Sequence, residues 1–438
     1  MQTCGLNNYI IKGAKTFCEK KALKTMKVLH IISQTPDFTG SGKYVLEMIK
    51  QNKISKNENY LVAGISDDFS LPDHVLSSEN CQFIRFGKDL NFPIVGMSDV
   101  MPYSSTVCSC LTPEQVKQYK TVFLKKIRQA AAHFSPDIIH TNHLWVASAA
   151  ARNAVPDIPI VTSCHGTCLR QHRLCPDLGR SLQNPLSKID RFIALFQEQK
   201  EDIQNLLGID PDRIDVISGG FNPNCFYFEK KQDTPSTVQI LYAGKLNASK
   251  GVPWLLKSLN MLSTDQFHLH LVGGGSGPEK QQCLELAKPL GTKVTVHGIL
   301  SHENLAELMR ASHIFVLPSF FEGLPLVLLE AMACGCRIIT TGLPGSKQLF
   351  SETHPDMISM IKLPQLMTID RPHPKDEPEL EAQLAALLKQ GIKEVQQGST
   401  PDQEYILKIT QPYTWKKIFS RVENVYRKTA GLFIPQTF

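Results

Sequence analysis

Two carboxylates stand eight positions apart in the segment Glu322-Gly-Leu-Pro-Leu-Val-Leu-Leu-Glu-Ala-Met-Ala-Cys-Gly335. Glu322 precedes a Gly-Leu-Pro turn, and Glu330 interrupts an apolar run from Leu326 to Ala333. Pro325 suits the first turn of a helix and Gly335 its C-terminal cap. The segment is read as a buried helix whose N-terminus opens on a turn. Free N–H groups and a partial positive charge at such a terminus favour an anion, often a phosphate. A glutamate inside an apolar helix is costly unless a partner satisfies it. The hydroxyl pair of a sugar is one such partner. A neighbouring arginine or a backbone N–H is the structural alternative.

Other segments add cations and close-approach glycines. Gly244-Lys245-Leu-Asn-Ala-Ser-Lys250-Gly251 follows an apolar strand and enters a helix. It sets two lysines at the carboxyl end of that strand, where a leaving diphosphate could be stabilised; two solvated loop lysines are the plainer account. Gly273-Gly-Gly-Ser-Gly277-Pro278 closes the next strand but lacks the third glycine of a dinucleotide fingerprint. Gly40-Ser-Gly42-Lys43 follows the first strand. It is not a P-loop, yet it can bring backbone N–H groups to a ligand, or simply be a tight turn. His165-Gly166-Thr167 ends another strand, and a neutral imidazole there could meet a sugar hydroxyl. Cys164, Cys168 and Cys175 lie close to His165 and His172, but without a Cys-x-x-Cys pair a metal site is not expected.

These residues need a scaffold that brings loops together. Short apolar runs alternate with helical patterns from Val28–Ser33 through Arg337–Thr341. Fully apolar short strands between helices imply parallel sheets covered on both faces, that is, doubly wound α/β domains. A polar stretch with a proline at 227–237 marks the expected boundary. The division is therefore 1–25, an appendage that can be disordered or precede the true start at Met26, then domains 26–230 and 235–412. A final helix, 413–430, carries Trp415, Ile418, Phe419, Val422, Val425 and Tyr426 as a stripe that needs an apolar surface. Residues 352–378 are read as a long surface loop. Ligands of doubly wound sheets bind at the carboxyl ends of the strands, so the chemistry is expected in a cleft between the domains.

With 438 residues, 42% hydrophobic and 20% charged, the composition is that of an ordinary globular protein. The net charge of +6 admits anionic substrates. No basic stripe with interleaved aromatics argues for nucleic acid, and no apolar run reaches the length of a membrane span. The first 25 residues make a poor signal peptide, so a cytoplasmic protein with reduced thiols is expected. The helix over 113–133 bears Lys117, Lys120, Lys125, Lys126 and Arg128. Peripheral contact with anionic lipid is one use of that face; a solvated surface is the other.

From Met26 to about Arg427 the chain resembles glycosyltransferase family 4, the retaining GT-B glycosyltransferases. The resemblance rests on Lys-Val-Leu-His-Ile-Ile-Ser with its glycine loop, Pro136-Asp-Ile-Ile-His140, His165-Gly-Thr and Gly244-Lys-Leu with Lys250-Gly251. Pro318-Ser with Glu322-x7-Glu330 and the Trp415 helix complete it. It implies two Rossmann-like domains, with the last helix crossing back to the first. It implies that Glu330 holds the ribose of a nucleotide-sugar donor, and that Glu322 with the backbone of Gly323, Leu324 and Leu326 holds the sugar and phosphates. Gly244, Lys245 and Lys250 would bind the diphosphate, approached by Gly40 and Gly42 from the other domain. His165, Lys250 and Glu322 would be the catalytic set. Lys245 stands where the family has arginine, which loses a bidentate fork. The family's Asn-Gly is Gly219-Gly220-Phe221-Asn222 here, and nothing is carried over to it. The expected activity is transfer of a hexose-type sugar from a nucleoside diphosphate sugar to an acceptor hydroxyl, with neither metal nor cofactor. A non-catalytic nucleotide-sugar binding protein and a glycoside hydrolase are the competing readings.

Overall fold

The computed structural model describes residues 24–432, apart from 37–38, 68, 99–100, 102, 232–233, 265, 351–356 and 400. The expected appendage therefore lies almost wholly outside the described residues. Seven parallel strands form the first sheet: β1 (Lys27–Ile32), β2 (Glu58–Ile65), β3 (Cys81–Arg85), β4 (Ile138–Asn142), β5 (Ile160–Ser163), β6 (Arg191–Ala194) and β7 (Ile214–Val216). Six form the second: β8 (Val238–Ala243), β9 (Phe267–Val272), β10 (Val294–Gly298), β11 (Ile314–Leu317), β12 (Arg337–Thr341) and β13 (Ile358–Ile361). Their spatial orders are β3-β2-β1-β4-β5-β6-β7 and β10-β9-β8-β11-β12-β13. Helices cover both faces, so the central strands are buried throughout: β11 is a continuous apolar run, while β4 also buries His140, Thr141 and Asn142 toward its carboxyl end.

In both sheets the order reverses beside the first strand, between β1 and β4 and between β8 and β11. The loops leaving those strands splay apart there and leave a crevice. The sequence motifs follow these same strands. Gly40–Lys43 follows β1, and His165 follows β5, the neighbour of β4. Gly244–Gly251 follows β8, and Pro318–Glu322 follows β11.

One element departs from the sequence reading. β13 lies within the stretch taken as surface loop. It has four residues, two only half-buried, and pairs with β12 alone, so as an edge strand its apolar pattern is too short to stand out.

The last helix, Trp415–Thr429, leaves the second sheet and packs on the first. Ile418, Phe419, Val422, Val425 and Tyr426 join one core with Met26, Val28, Tyr44, Ile138, Val161 and Ile193. Tyr426 Oη lies 2.6 Å from Nδ1 of His140, whose Nε2 lies 2.8 Å from Ser163 Oγ. All three groups are buried. Tyr426→Phe leaves a buried ring nitrogen without its partner and is expected to lower the unfolding free energy by about 1–3 kcal/mol. A urea titration checks this; an unchanged midpoint at unchanged slope would show that the bond does not tie the helix down.

Candidate active site

The loop between β11 and the helix Leu326–Ala333 carries Glu322. One of its oxygens, Oε1, accepts from Ser319 Oγ at 2.7 Å and lies 2.8 Å from Lys250 Nζ. Lys250 also donates to the carbonyl of Phe321 at 3.1 Å. Two residues seventy-two positions apart thus form one partly buried ion pair. Gly251 makes this possible. Its φ is +70°, and a Cβ there would fall 2.0 Å from the carbonyl oxygen of Pro318. Only glycine lets the Lys250 loop lie on the Glu322 loop, where Phe320 N–H then donates to Ser249 O at 2.8 Å. Gly251→Ala is expected to cost about 3 kcal/mol through backbone strain and to separate Lys250 from Glu322. Thermal unfolding checks the first effect; wild-type stability would contradict the packing.

Lys245 shares this electrostatic neighbourhood. Desolvation lowers its pKa, Lys250 lowers it further, and Glu322 opposes both. The glycine run after β9 has a packing reason as well. A Cβ at Gly273 would meet Gly244 O at 1.7 Å, and Leu246 N–H donates to Gly274 O at 2.8 Å. The two loops form a single shelf at the carboxyl ends of β8 and β9.

Glu330 sits half-buried in the helix Leu326–Ala333, and its carboxylate takes no hydrogen bond or ion pair from any described residue. Burial pushes its carboxyl up to about 7, with Lys43 acting weakly against this. Of the two readings open in the sequence, a structural partner is thus not found. Pro325 occupies the cap position rather than the first turn, and Gly335, at φ +78°, follows the last turn. The Leu326 N–H is bonded to Leu324 O at 3.0 Å, whereas no described group engages the N–H of Gly323 or Leu324. The expected set of backbone donors is thereby reduced to those two.

From the first domain, the His165–Gly166 corner meets this loop. A Cβ at Gly166 would be 3.8 Å from Gly323 Cα, and one at Gly323 would be 3.6 Å from His165 O. His165 Nε2 lies 2.9 Å from Asn142 Oδ1, and its ring is 4.9 Å from that of His143 and 5.1 Å from Tyr44. Burial first, then the neighbouring His143 and His140, pushes its pKa well below the ordinary histidine value. The ring is neutral at physiological pH, a hydrogen-bonding group and not a resident cation.

Gly40 and Gly42 begin the helix Gly40–Ile54, capped by Thr39. The Gly42 N–H already donates to Thr39 Oγ1 at 3.1 Å, so it is less available to a ligand than the sequence implied. A Cβ at Gly40 would meet nothing within 4 Å. The residue after them does more: Lys43 Nζ reaches across the cleft to within 2.7 Å of His302 Nε2. Sequence reasoning gave Lys43 and His302 no such role, because no local signal links residues so far apart. Gly219 is a second omission. A Cβ there would lie 2.7 Å from Leu326 Cδ1, so this glycine admits the start of the carboxylate helix, as Gly220 admits Trp415. Among the described residues no three His, Cys, Asp or Glu side chains are grouped as a metal ion would require.

Comparison with known proteins agrees with this architecture. Residues 109–224 match the model of Glycosyltransferase Family 4, and residues 237–361 that of Glycosyl transferases group 1, together more than half of the chain. The chain belongs to these GT-B glycosyltransferases. It is 29% identical over 253 residues to a D-inositol 3-phosphate glycosyltransferase of Xylanimonas cellulosilytica, covering 51% of this chain and 60% of that one. The chain spans about 60% of the length of the curated relatives it matches first. Its fold is shared with sucrose-phosphate synthase of Thermosynechococcus elongatus, at TM-score 0.66 and 18% identity, over 93% of this chain and 100% of that one. It is shared equally with HepE of Anabaena, solved with UDP and glucose, at TM-score 0.66 and 16% identity, over 92% and 100%.

Proposed function

We propose that the protein is a retaining, metal-independent glycosyltransferase that moves a hexose-type sugar from a nucleoside diphosphate sugar to an acceptor hydroxyl. The observation that carries this reading is the cluster of Lys250, Glu322 and Gly323 lying against the His165–Gly166 corner, with the unpartnered carboxyl of Glu330 in the adjoining helix. In this reading residues 235–412 hold the donor, 26–230 the acceptor, and 413–430 ties the two together.

Each group has a task that its surroundings suit. The diphosphate accumulates charge as it leaves the anomeric carbon. Lys245, Lys250 and the N–H groups of Gly323 and Leu324 supply fixed positive potential there. With two lysines in place, the reading calls for no metal ion. Glu330 accepts from the two ribose hydroxyls, which gives its carboxylate the partners it lacks. Glu322, held by Lys250 and Ser319, accepts from hydroxyls of the transferred sugar. His165, neutral and steadied by Asn142, contacts that sugar near the reacting carbon. The acceptor hydroxyl then attacks as the carbon–oxygen bond to the diphosphate breaks.

Thermal shift against UDP, GDP, ADP and TDP and their sugars tests the assignment, with UDP-glucose first because HepE was also solved with it. A rise for one base, lost in Glu330→Ala and Lys250→Ala, supports the reading. No response to any of them overturns it and favours a hydrolase, tested by release of free sugar.

A cytoplasmic setting with peripheral membrane contact is part of the same proposal. Among the described residues no helix is long and apolar enough to cross a membrane. In the helix Pro113–Phe134 the apolar face (Tyr119, Phe123, Ile127, Phe134) is buried against the protein. Contact there would rest on charge alone, with Lys117 and Lys125 exposed. Co-sedimentation with anionic vesicles, abolished by Lys117→Gln with Lys125→Gln and by raised salt, is the expected result.

A further inference from the structure

The reaction leaves unused a pair of thiols beside His165. Cys164 and Cys168 are fully buried, with their Sγ atoms 3.4 Å apart. Neither is in a disulfide, so this is a reduced pair in contact. Cys164 follows β5, and its N–H donates to Ile193 O in the neighbouring strand at 2.9 Å, which fixes it in the sheet. Cys168 lies in the first turn of the helix Thr167–Leu174, and Gly166, at φ +82°, forms the corner between them.

Burial alone would push both thiols up. At Cys168 this is outweighed by hydrogen bonds from Cys164 and His143 and by the nearness of His143, which bring it well below the ordinary thiol range. Burial and its partner sulfur hold Cys164 well above that range. Two sulfurs in contact, with the His143 imidazole beside one of them, set a nucleophile next to a resolving thiol, as dithiol oxidation requires.

We propose that Cys164 and Cys168 form a peroxide-sensitive modification site that closes to an intrachain disulfide and disables the His165 corner of the cleft. The Cys168 thiolate attacks one peroxide oxygen, the O–O bond breaks, and hydroxide leaves and takes up a proton. Cys168 is then a sulfenic acid. The Cys164 sulfur attacks it, the S–S bond forms, the S–O bond breaks, and the departing oxygen takes the Cys164 proton and leaves as water. In sum, two thiols lose two electrons and one hydrogen peroxide becomes two waters.

A disulfide has its sulfurs about 2.05 Å apart, so the two must approach by about 1.3 Å. The sheet holds Cys164, so the first turn of the helix has to move. That turn adjoins Gly166, which abuts Gly323, and His165, bonded to Asn142, lies inside the loop the disulfide closes. The loss of activity rests on the transferase reading above; formation of the disulfide does not.

The test treats the full-length protein with hydrogen peroxide, alkylates it in denaturant and digests it with trypsin. Both cysteines fall in one peptide, residues 153–170, because Arg152 and Arg170 are the flanking cleavage sites. The expected product is that peptide unalkylated and two hydrogens lighter, reversed by dithiothreitol and absent from Cys164→Ala and Cys168→Ser. Sugar transfer should fall at least ten-fold with it and return on reduction, in the wild type but in neither variant. Separate thiols, or a sulfinic acid in place of the link, overturn the proposal. A linked peptide with undiminished transfer overturns the switch. Should the untreated protein transfer no sugar, the peptide mass still decides the disulfide, and the fault lies with the functional assignment. The wild-type reversal stands even if one variant fails to fold.

Discussion

Replacing Glu330 with glutamine is expected to stabilise the free protein at pH 8 and to abolish its response to the donor nucleotide. The carboxyl is pushed from 4.5 up to about 7 by burial, so its ionised form is disfavoured in the folded state. The folded pKa lies above the unfolded one. The folded state therefore holds the extra proton between these values, and stability falls as pH rises from about 4.5 to about 7 and is flat above. The full shift corresponds to about 3 kcal/mol; since the carboxyl partly reaches solvent, about 2 kcal/mol is the expected gain in Glu330→Gln at pH 8, with no gain at pH 4. Nucleotide binding should run the opposite way. Ribose hydroxyls donate to the carboxylate, so binding favours the ionised form, expels a proton below pH 7 and tightens as pH rises through that value. Unfolding curves and nucleotide titrations from pH 5 to 8 check both halves. A variant no more stable than wild type at pH 8, binding nucleotide with the same pH dependence, would show that this carboxylate is neither strained nor used.

Lys250→Met is expected to lower kcat by about 10²–10³-fold while raising the donor KM much less. The diphosphate gains charge toward the transition state, and a cation fixed beside it acts most strongly there. Lys250 is fixed: Glu322 holds it at 2.8 Å and Phe321 O at 3.1 Å. Its loss also leaves the partly buried Glu322 with Ser319 alone, so a modest fall in stability accompanies the kinetic effect. Lys250→Arg keeps the charge and should recover part of the rate. Steady-state kinetics with the donor identified by thermal shift separate the cases. A rise in KM at constant kcat would make Lys250 a ground-state anchor, and unchanged kinetics would remove it from the mechanism.

Much of this was legible in the sequence because it is local. The parallel strands are short apolar runs between helices, and that pattern survives in any context that buries both faces. Glu330 stood out because a charge in an apolar helix contradicts its surroundings. The final helix declared a stripe needing cover, and the cover is the first sheet, with Tyr426 bonded to His140. The edge strand β13 was missed because one paired side and four residues leave too little pattern.

The amino-acid sequence by itself therefore determined the two doubly wound sheets, the order of the site loops along them and the residue types at the strand ends. Propensity and hydrophobic period act over a few residues, and those suffice for such features. Only the tertiary structure decided which loops meet. It set Lys250 on Glu322 through the left-handed Gly251, brought the His165 corner to Gly323, and let Gly219 receive Leu326. It also laid Lys43 across to His302 and brought the sulfurs of Cys164 and Cys168 together. These are close approaches between distant segments, fixed by the packing of whole sheets and helices, and no short window of sequence contains the forces that set them.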